Sequence, residues 1–205
     1  MGNADPEDVF EEALKHFNTI QWCRPILHDP AYTAIDTPSR RRKDDAEDSL
    51  FAETLHTPST IKHCVSLLRT PPAPALPNIP PPPEQPFAHF HANKDRIPPA
   101  DVVALLTLGS GVNGHPNFGH GGFITVLLDE FMSLLVGVHE FWGSSTVFLN
   151  TTFTRGVATP GTILVRAWLV RKEAKKLWLH GRVENEKGQV CGSADGLWVQ
   201  SKPKL

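Results

Sequence analysis

The stretch that most constrains the fold of this 205-residue chain is GHPNFGHGGFITVLLDEFMSLLVGV, residues 114–138. From 123 to 138 it is almost continuously apolar, lacks proline, and carries hydrophobic residues around the whole circumference of a helix. A helix of this kind is expected to be buried on all sides. At about 18 residues, or roughly 27 Å, it nearly matches a bilayer. The adjacent acids Asp129 and Glu130 at its centre disfavour lipid, so we predict a helix wrapped by a sheet and no transmembrane segment.

Apolar runs on both sides of this helix supply the strands of that sheet. A continuous apolar run, VVALLTL, precedes it at residues 102–108 and is typical of a buried strand. Short connections between the later runs predict an antiparallel meander. The chain is therefore predicted to be α+β, with an antiparallel sheet wrapped around one long central helix. The four amphipathic or apolar runs after the helix are 146–155, 162–170, 176–184 and 189–200.

The first 86 residues differ in composition from the rest. Residues 71–86 contain nine prolines in sixteen positions, which excludes a helix or a central strand and predicts an extended linker. Residues 5–17 and 49–55 are predicted to be short helices, and residues 61–69 fit a helix or a strand. The resulting division is an N-terminal extension, partly helical, at 1–70, a proline-rich linker at 71–86, and a domain at 87–205.

Charge and cysteine content exclude several classes of protein. A net charge of −2 gives no reason to expect nucleic acid as a partner. The three cysteines are odd in number and widely spaced, which excludes a disulfide framework or a CxxC metal site and fits a reducing compartment. We predict neither a metal nor another cofactor.

The start of the long helix and its central acid together outline a reaction centre. The N–H groups of Gly121 and Gly122 have no partner within the helix and lie at the positive end of its dipole, so they favour an oxyanion. The alternative is that the glycines only permit a tight turn. Asp129, about two turns further on, could act as a general base or as a nucleophile, and its structural alternative is an acid bonded to a neighbouring strand. Glu130, turned about 100° away, is the fallback acid.

The segment GHPNFGHGGFITVLLDE resembles the hotdog-fold acyl-CoA thioesterases of the phenylacetate-pathway and human thioesterase-superfamily-member type. Those proteins carry an acid nine residues after the His of an HGG motif, the spacing of His120 and Asp129 here. The runs TVFLNTTFTR and RKEAKKLW are also similar, and the resemblance covers roughly residues 87–200. The N-terminal extension is similar to those of fungal relatives. Asn117 stands where the family often has Gly, and Asn tolerates the left-handed conformation.

The resemblance implies a hotdog fold that hydrolyses an acyl-CoA thioester, with coenzyme A entering only as part of the substrate. It also implies a homodimer, with pairing of dimers into a homotetramer as an option, in which Gly121 and Asp129 of opposite subunits share one site. Thr146 would position the attacking water. His120 would orient the substrate or the Gly121 loop, and its structural alternative is a capping role only. The catalytic set is then Asp129, Gly121, Gly122, His120 and Thr146. The predicted substrate-binding set, whose cations could meet the phosphates of coenzyme A, is Ser145, Asn113, Arg155, Lys172, Lys175 and Lys176.

Two other functions stay open at this point. One is a thioesterase that acts on acyl chains held by a carrier protein, and the other is a non-catalytic hotdog subunit used for binding or scaffolding. We expect the protein in the cytoplasm, with the peroxisome as the alternative. The final residues Pro203-Lys204-Leu205 differ from the peroxisomal S-K-L address only at the first position.

Overall fold

The computed structural model describes residues 6–71, 87, 91 and 99–201. Nearly all of the predicted proline-rich linker, residues 72–86, lies outside the described residues, as does the C-terminal tripeptide 203–205.

Three α-helices are described, and the first follows the usual rules for a helix start. Pro6 opens it, and Glu7 and Asp8 lie in its first turn, where carboxylates favour the helix dipole. The helix predicted at 49–55 is a single π-helical turn, Leu50–Thr54. The α-helices are α1 (Pro6–Thr19), α2 (Arg24–Leu27) and α3 (Gly121–Val138), so the long apolar helix is confirmed.

Seven strands form one sheet in the order β1-β2-β3-β7-β8-β9-β6, and every neighbouring pair in it is antiparallel. The remaining two, β4 and β5, form a small hairpin just before α3. The bounds are β1 (Tyr32–Ile35), β2 (Ile61–Arg69), β3 (Val102–Leu108), β4 (Asn113–His115), β5 (Phe118–Gly119), β6 (Ser144–Phe153), β7 (Gly161–Glu173), β8 (Lys176–Glu184) and β9 (Val190–Gln200).

The predicted meander is correct only for β7, β8 and β9. The strand β6 pairs with β9 at the edge of the sheet, while β3 pairs with β7. Helix α3 connects β3 to β6 and so carries the chain across the sheet to its far edge. The connection 154–160 then returns it to β7. The short loops between the amphipathic runs did not predict that β6 lies at the far edge of the sheet. The length of a loop limits the distance between the two strands that it joins, but it does not determine the order of strands in the sheet.

The sheet includes strands from both sides of the predicted proline-rich linker. Strands β1 and β2 extend the sheet beyond β3, so part of the predicted N-terminal extension belongs to the same sheet. Residues 61–69, which fitted a helix or a strand, form a strand in which Val65 and Leu67 are fully buried. The hydrophobic pattern of this run fitted the period of a helix and that of a strand. Its hydrogen bonding to β3 decides in favour of the strand.

One stripe of α3 packs on the concave face of the sheet. At Gly181 of β8 an added Cβ would lie only 2.7 Å from Sδ of Met132, so the glycine allows the helix to approach closely. The prediction that α3 is buried on all sides is wrong for one chain, since its sheet covers one side and Phe123, Val126 and Leu134 are only partly buried. The buried stripe is Ile124, Leu127, Leu128, Phe131, Met132 and Leu135.

Within the described part of the chain, α3 alone has the length and hydropathy to cross a membrane. Its buried stripe belongs to the main hydrophobic cluster together with residues of the sheet, which is the packing of a core helix. Helix α1 covers the opposite face of the sheet. There Ala13 and Phe17 are buried, and His16 Nε2 lies 2.7 Å from the Thr107 hydroxyl.

Candidate functional site

The loop before α3 delivers an unpaired backbone amide to the start of the helix. Asn117 adopts a φ of 65°, so the predicted tolerance of Asn for the left-handed conformation is confirmed. His120 caps the helix, and its Nδ1 accepts the N–H of Gly122 at 2.9 Å. Gly122 was predicted to be an oxyanion donor, but its N–H already has this acceptor. No acceptor for the N–H of Gly121 is found among the described residues, so Gly121 is the donor that remains for an oxyanion.

A cleft of about 310 Å³ opens beside this amide. Its floor is formed by the apolar side chains of Ile124, Val157 and Cys191. Each of these residues is almost fully buried. The ring of Phe153 forms a wall over the glycine, and Arg155 places a cation at the rim. The lining residues are Gly119, Gly121, Ile124, Phe153, Thr154, Arg155, Gly156, Val157 and Cys191.

The catalytic acid predicted at Asp129 lies on the flank of α3 that faces β6. The Thr146 hydroxyl donates a hydrogen bond to Oδ1 of Asp129 at 3.0 Å. Burial raises the pKa of the Asp129 carboxyl, and the bond from Thr146 partly offsets that rise. A carboxylate with a raised pKa is a better proton acceptor, so the arrangement suits a general base. The structure thus brings Thr146, which was predicted to position the attacking water, into contact with the predicted acid.

The neighbouring acid Glu130 lies on the other flank of the helix. Burial raises the pKa of its carboxyl, and the Ser39 hydroxyl beside it acts in the opposite direction. Its surroundings therefore come from the N-terminal part of the chain, whereas those of Asp129 come from β6. This difference favours Asp129 over Glu130 as the acid of a site at the β6 edge.

Gly121 and Asp129 are too far apart to act on one bond within a single chain. Eight residues of α-helix separate them, which corresponds to about 12 Å along the axis. Each chain thus carries an amide with a cleft at one place and an acid with a hydroxyl at another.

Comparisons with known proteins identify the family. A family model described as thioesterase superfamily matches residues 117–192. The chain is 30% identical over 203 residues to verlamelin biosynthesis protein B of a Lecanicillium species, and the match covers 83% of this chain and 81% of that protein. The chain belongs to the thioesterase superfamily. Membership supports thioester hydrolysis as the chemistry of the site, and the antiparallel sheet around a central helix is the predicted hotdog fold.

Solved structures of this superfamily also align with the chain. Thioesterase superfamily member 2 of zebra fish is 16% identical, covers 50% of this chain and 76% of its own, and has a TM-score of 0.47. A Bacillus halodurans protein with CoA is 23% identical, covers 47% of this chain and 65% of its own, and has a TM-score of 0.44.

The remaining predicted site residues of this thioesterase-superfamily chain fall into two places. Arg155 lies at the cleft and donates to the carbonyl of Val190 at 3.0 Å. Asn113 accepts a hydrogen bond from the hydroxyl of Thr159, so it braces the loop beside the cleft. Ser145 adjoins Thr146, but successive strand side chains point to opposite faces, so its hydroxyl points away from Asp129.

The three predicted lysines lie far from the cleft, around the turn between β7 and β8. Lys176 pairs in register with Val199, which is about 27 Å along β9 from Cys191 at the cleft floor. Lys172 donates to the His139 carbonyl at 3.1 Å, and Lys175 is exposed. These lysines are therefore nearer to the Asp129 end of the molecule than to the Gly121 end.

The structure adds contacts that the sequence did not single out. Trp198 Nε1 donates to the Ser133 hydroxyl at 3.1 Å, and the Thr125 hydroxyl donates to that of Thr151 at 3.3 Å. Both bonds fix α3 against β6 and β9. The polar residues that interrupt the apolar helix were the available signal. Phe153, at the end of an alternating run beside Arg155, gave no signal of its own, because its position over Gly121 depends on tertiary packing.

Among the described residues, one cluster has the spacing of a metal site, on the sheet face opposite α3. His91 Nε2 and His180 Nδ1 each lie 2.7 Å from an oxygen of Asp195. Arg182 donates to His180 Nε2 at 3.1 Å, which requires a lone pair there and places the imidazole proton on Nδ1, towards Asp195. The cluster is a hydrogen-bonded charge network that ties His91 to the sheet.

Proposed function

We propose that this protein hydrolyses acyl-CoA thioesters to a free acid and coenzyme A. The observation that carries the proposal is the half-buried Asp129 carboxyl, bonded to Thr146, on the same helix whose first amide, at Gly121, has no acceptor among the described residues and lies beside an apolar cleft. A thioester needs these two groups, a base for water and a donor for the carbonyl oxygen.

The reaction follows from the properties of these groups. Asp129 takes a proton from water, and the hydroxide attacks the thioester carbon. The carbonyl oxygen becomes negative and is stabilised by the N–H of Gly121 at the positive end of α3. The carbon–sulfur bond then breaks, and the thiolate leaves with the proton that Asp129 took up. The same geometry allows direct attack by Asp129 and hydrolysis of the resulting anhydride.

A second copy of the chain would complete the site. The outer edge of β6 has no strand partner among the described residues, and its side chains Val147 and Phe153 are exposed. If two copies of β6 pair in antiparallel fashion about Leu149, Thr146 of one lies opposite Thr152 of the other. That pairing brings Asp129 of one copy beside the Gly121 cleft of the second, so we propose a homodimer with two shared sites.

Positive charge is available on both sides of such a shared site. Arg155 contributes from the cleft. Lys176 and Ser145 both pair with Val199, so Lys176 lies two strand spacings, roughly 10 Å, from Ser145. We propose that these cations bind the phosphates of coenzyme A.

A hydrolysis assay tests the proposal. Purified protein is supplied with straight-chain acyl-CoA esters and with the same acyl groups on a carrier protein, and thiol release is measured. Faster release from the CoA esters supports the proposal. Thiol release only from the carrier protein would show that the substrate is a carrier-bound acyl chain instead of an acyl-CoA ester. Binding without release from either substrate would indicate a non-catalytic hotdog subunit.

A further inference from the structure

Phe153 lies against Gly121, the helix-start glycine whose amide has no acceptor in the described part of the chain. A Cβ placed on Gly121 would be 3.4 Å from Cζ of Phe153 and 3.6 and 3.7 Å from Cε1 and Cε2. The far edge of the ring therefore touches the surface of the glycine. The side chain is nevertheless 56% exposed, so the ring also faces the open cleft.

The position of the ring relative to the amide determines what it would contact. In a first-turn helical residue, the N–H and the Cα–Cβ bond both lean towards the helix N-terminus. An atom next to the Cβ position of Gly121 is thus also close to the place where a carbonyl oxygen would bind. Of the acyl group, the carbon attached to the carbonyl is then nearest to Phe153.

The opposite side of the cleft has little room to adjust. Ile124, Val157 and Cys191 form its floor with at most 3% of each residue exposed. Gly192, which pairs with Phe153 across β6 and β9, would place a Cβ 3.2 Å from Cγ2 of Ile124. The floor is closely packed, so an added methyl group cannot be accommodated there without strain.

We infer that Phe153 determines substrate specificity by restricting the site to acyl groups that are unbranched at the carbon next to the thioester. The inference rests on the proposed function and narrows its substrate class. An unbranched chain passes between the ring and the apolar floor, whereas a 2-methyl branch meets the edge of the ring.

Two isomeric substrates test this inference, hexanoyl-CoA and 2-methylpentanoyl-CoA, which have the same number of carbons. The natural protein should favour the straight isomer in kcat/KM by about tenfold or more, the discrimination expected for one methyl group in a hydrophobic pocket. Phe153→Ala should reduce the preference to about threefold or less, mainly by improving turnover of the branched ester.

Val147→Ala is the matched control, since Val147 is an apolar residue on the same strand and is 60% exposed. It should leave the preference unchanged. Sedimentation of each variant separates a role in the cleft from a role in dimerisation, and Phe153→Leu serves if the alanine variant does not assemble. An unchanged preference in a folded, assembled Phe153 variant would overturn the inference.

A binding measurement separates failure of this inference from failure of the proposed function. The affinities of both isomers are measured by calorimetry in an Asp129→Asn background, with and without Phe153→Ala. Equal binding of the isomers when Phe153 is present overturns the inference alone. Absence of both binding and turnover overturns the proposed function and the inference with it.

Discussion

The two ends of the site use the same helix in different ways. At the start of α3, Gly121 offers an amide beside an apolar cleft; among the residues that the structure describes, the amide has no acceptor and the cleft lining has no acid. About 12 Å further along, Asp129 offers a carboxyl with a raised pKa, bonded to Thr146. The first region depends on the positive end of the helix dipole, which exists only in the first turn. The second depends on burial, which the middle of the helix provides.

Under the proposed function, this difference is the reason why one chain would carry two incomplete halves of a site. An oxyanion donor at a helix start and a desolvated base in the helix middle cannot coincide on one helix. Two antiparallel copies would place unlike halves together. Variants that damage each half separately therefore test whether both are needed for activity.

The largest expected effect is at the acid. Asp129→Asn should lower kcat by about 10³-fold, because the amide keeps the shape of the side chain but cannot accept a proton from water. Thiol release from an acyl-CoA ester measures the loss. Glu130→Gln is the matched control at the adjacent position and should retain most activity; loss in Glu130→Gln instead would transfer the role to Glu130.

The second largest loss of activity is expected when the amide half is damaged. Gly121→Ala should lower kcat/KM by about 10²-fold, because the methyl group occupies the mouth of the cleft and displaces the carbonyl. The new Cβ would still be 3.4 Å from Phe153, an ordinary contact, so the melting temperature should not fall. A loss of stability parallel to the loss of activity would contradict a role in the cleft.

Mixing the two damaged proteins tests whether the halves come from different chains. Asp129→Asn and Gly121→Ala, unfolded together and refolded as a mixture, should regain about a quarter of natural activity. Half of the dimers are mixed, and each mixed dimer has one intact site of two. Activity that stays at the level of the separate variants would show that both halves act within one chain.

A smaller effect is expected at Thr146. Its hydrogen bond lowers the pKa of Asp129 against the rise caused by burial. Thr146→Val should therefore raise that pKa further, move the acid limb of the pH–rate profile to higher pH, and reduce kcat about tenfold at neutral pH. Ser145→Ala, one residue away and on the other face, should leave the acid limb in place.

The smallest expected effect is on stability. Because burial raises the folded-state pKa of Asp129, the neutral carboxyl is favoured in the folded protein. The stability linked to that neutral form is fully present below the ordinary carboxyl pKa and is lost as pH rises through the raised value. Asp129→Asn should thus be more stable than the natural protein at pH 7, with the difference shrinking on acidification. Denaturant unfolding at several pH values measures it, and a difference that grows towards low pH would contradict the assignment.

Local patterns predicted most of the elements, whereas the roles of the site residues stay predictions. The apolar run of α3, the run at 102–108 and the turn before β9 each have strong periodicity or clear turn residues, so their positions followed directly. The family resemblance implied a role for Thr146 near the acid, and the hydrogen bond that joins its hydroxyl to Asp129 came from the structure. The division of the site between subunits stays a prediction. Gly122 was assigned incorrectly, because a capping bond from His120 depends on a ring orientation that sequence does not specify.

From the amino-acid sequence alone, the long apolar helix with its central acid and the strand-like apolar runs around it predicted a helix packed on an antiparallel sheet. Only the tertiary structure decided that β6 crosses to the edge beside β9, that β1 and β2 join the sheet, and that Phe153 lies over Gly121. The physical reason is that burial and periodicity are properties of a local segment. Strand order and the contacts of a particular side chain depend on residues far apart in the chain, which compete for the same surfaces.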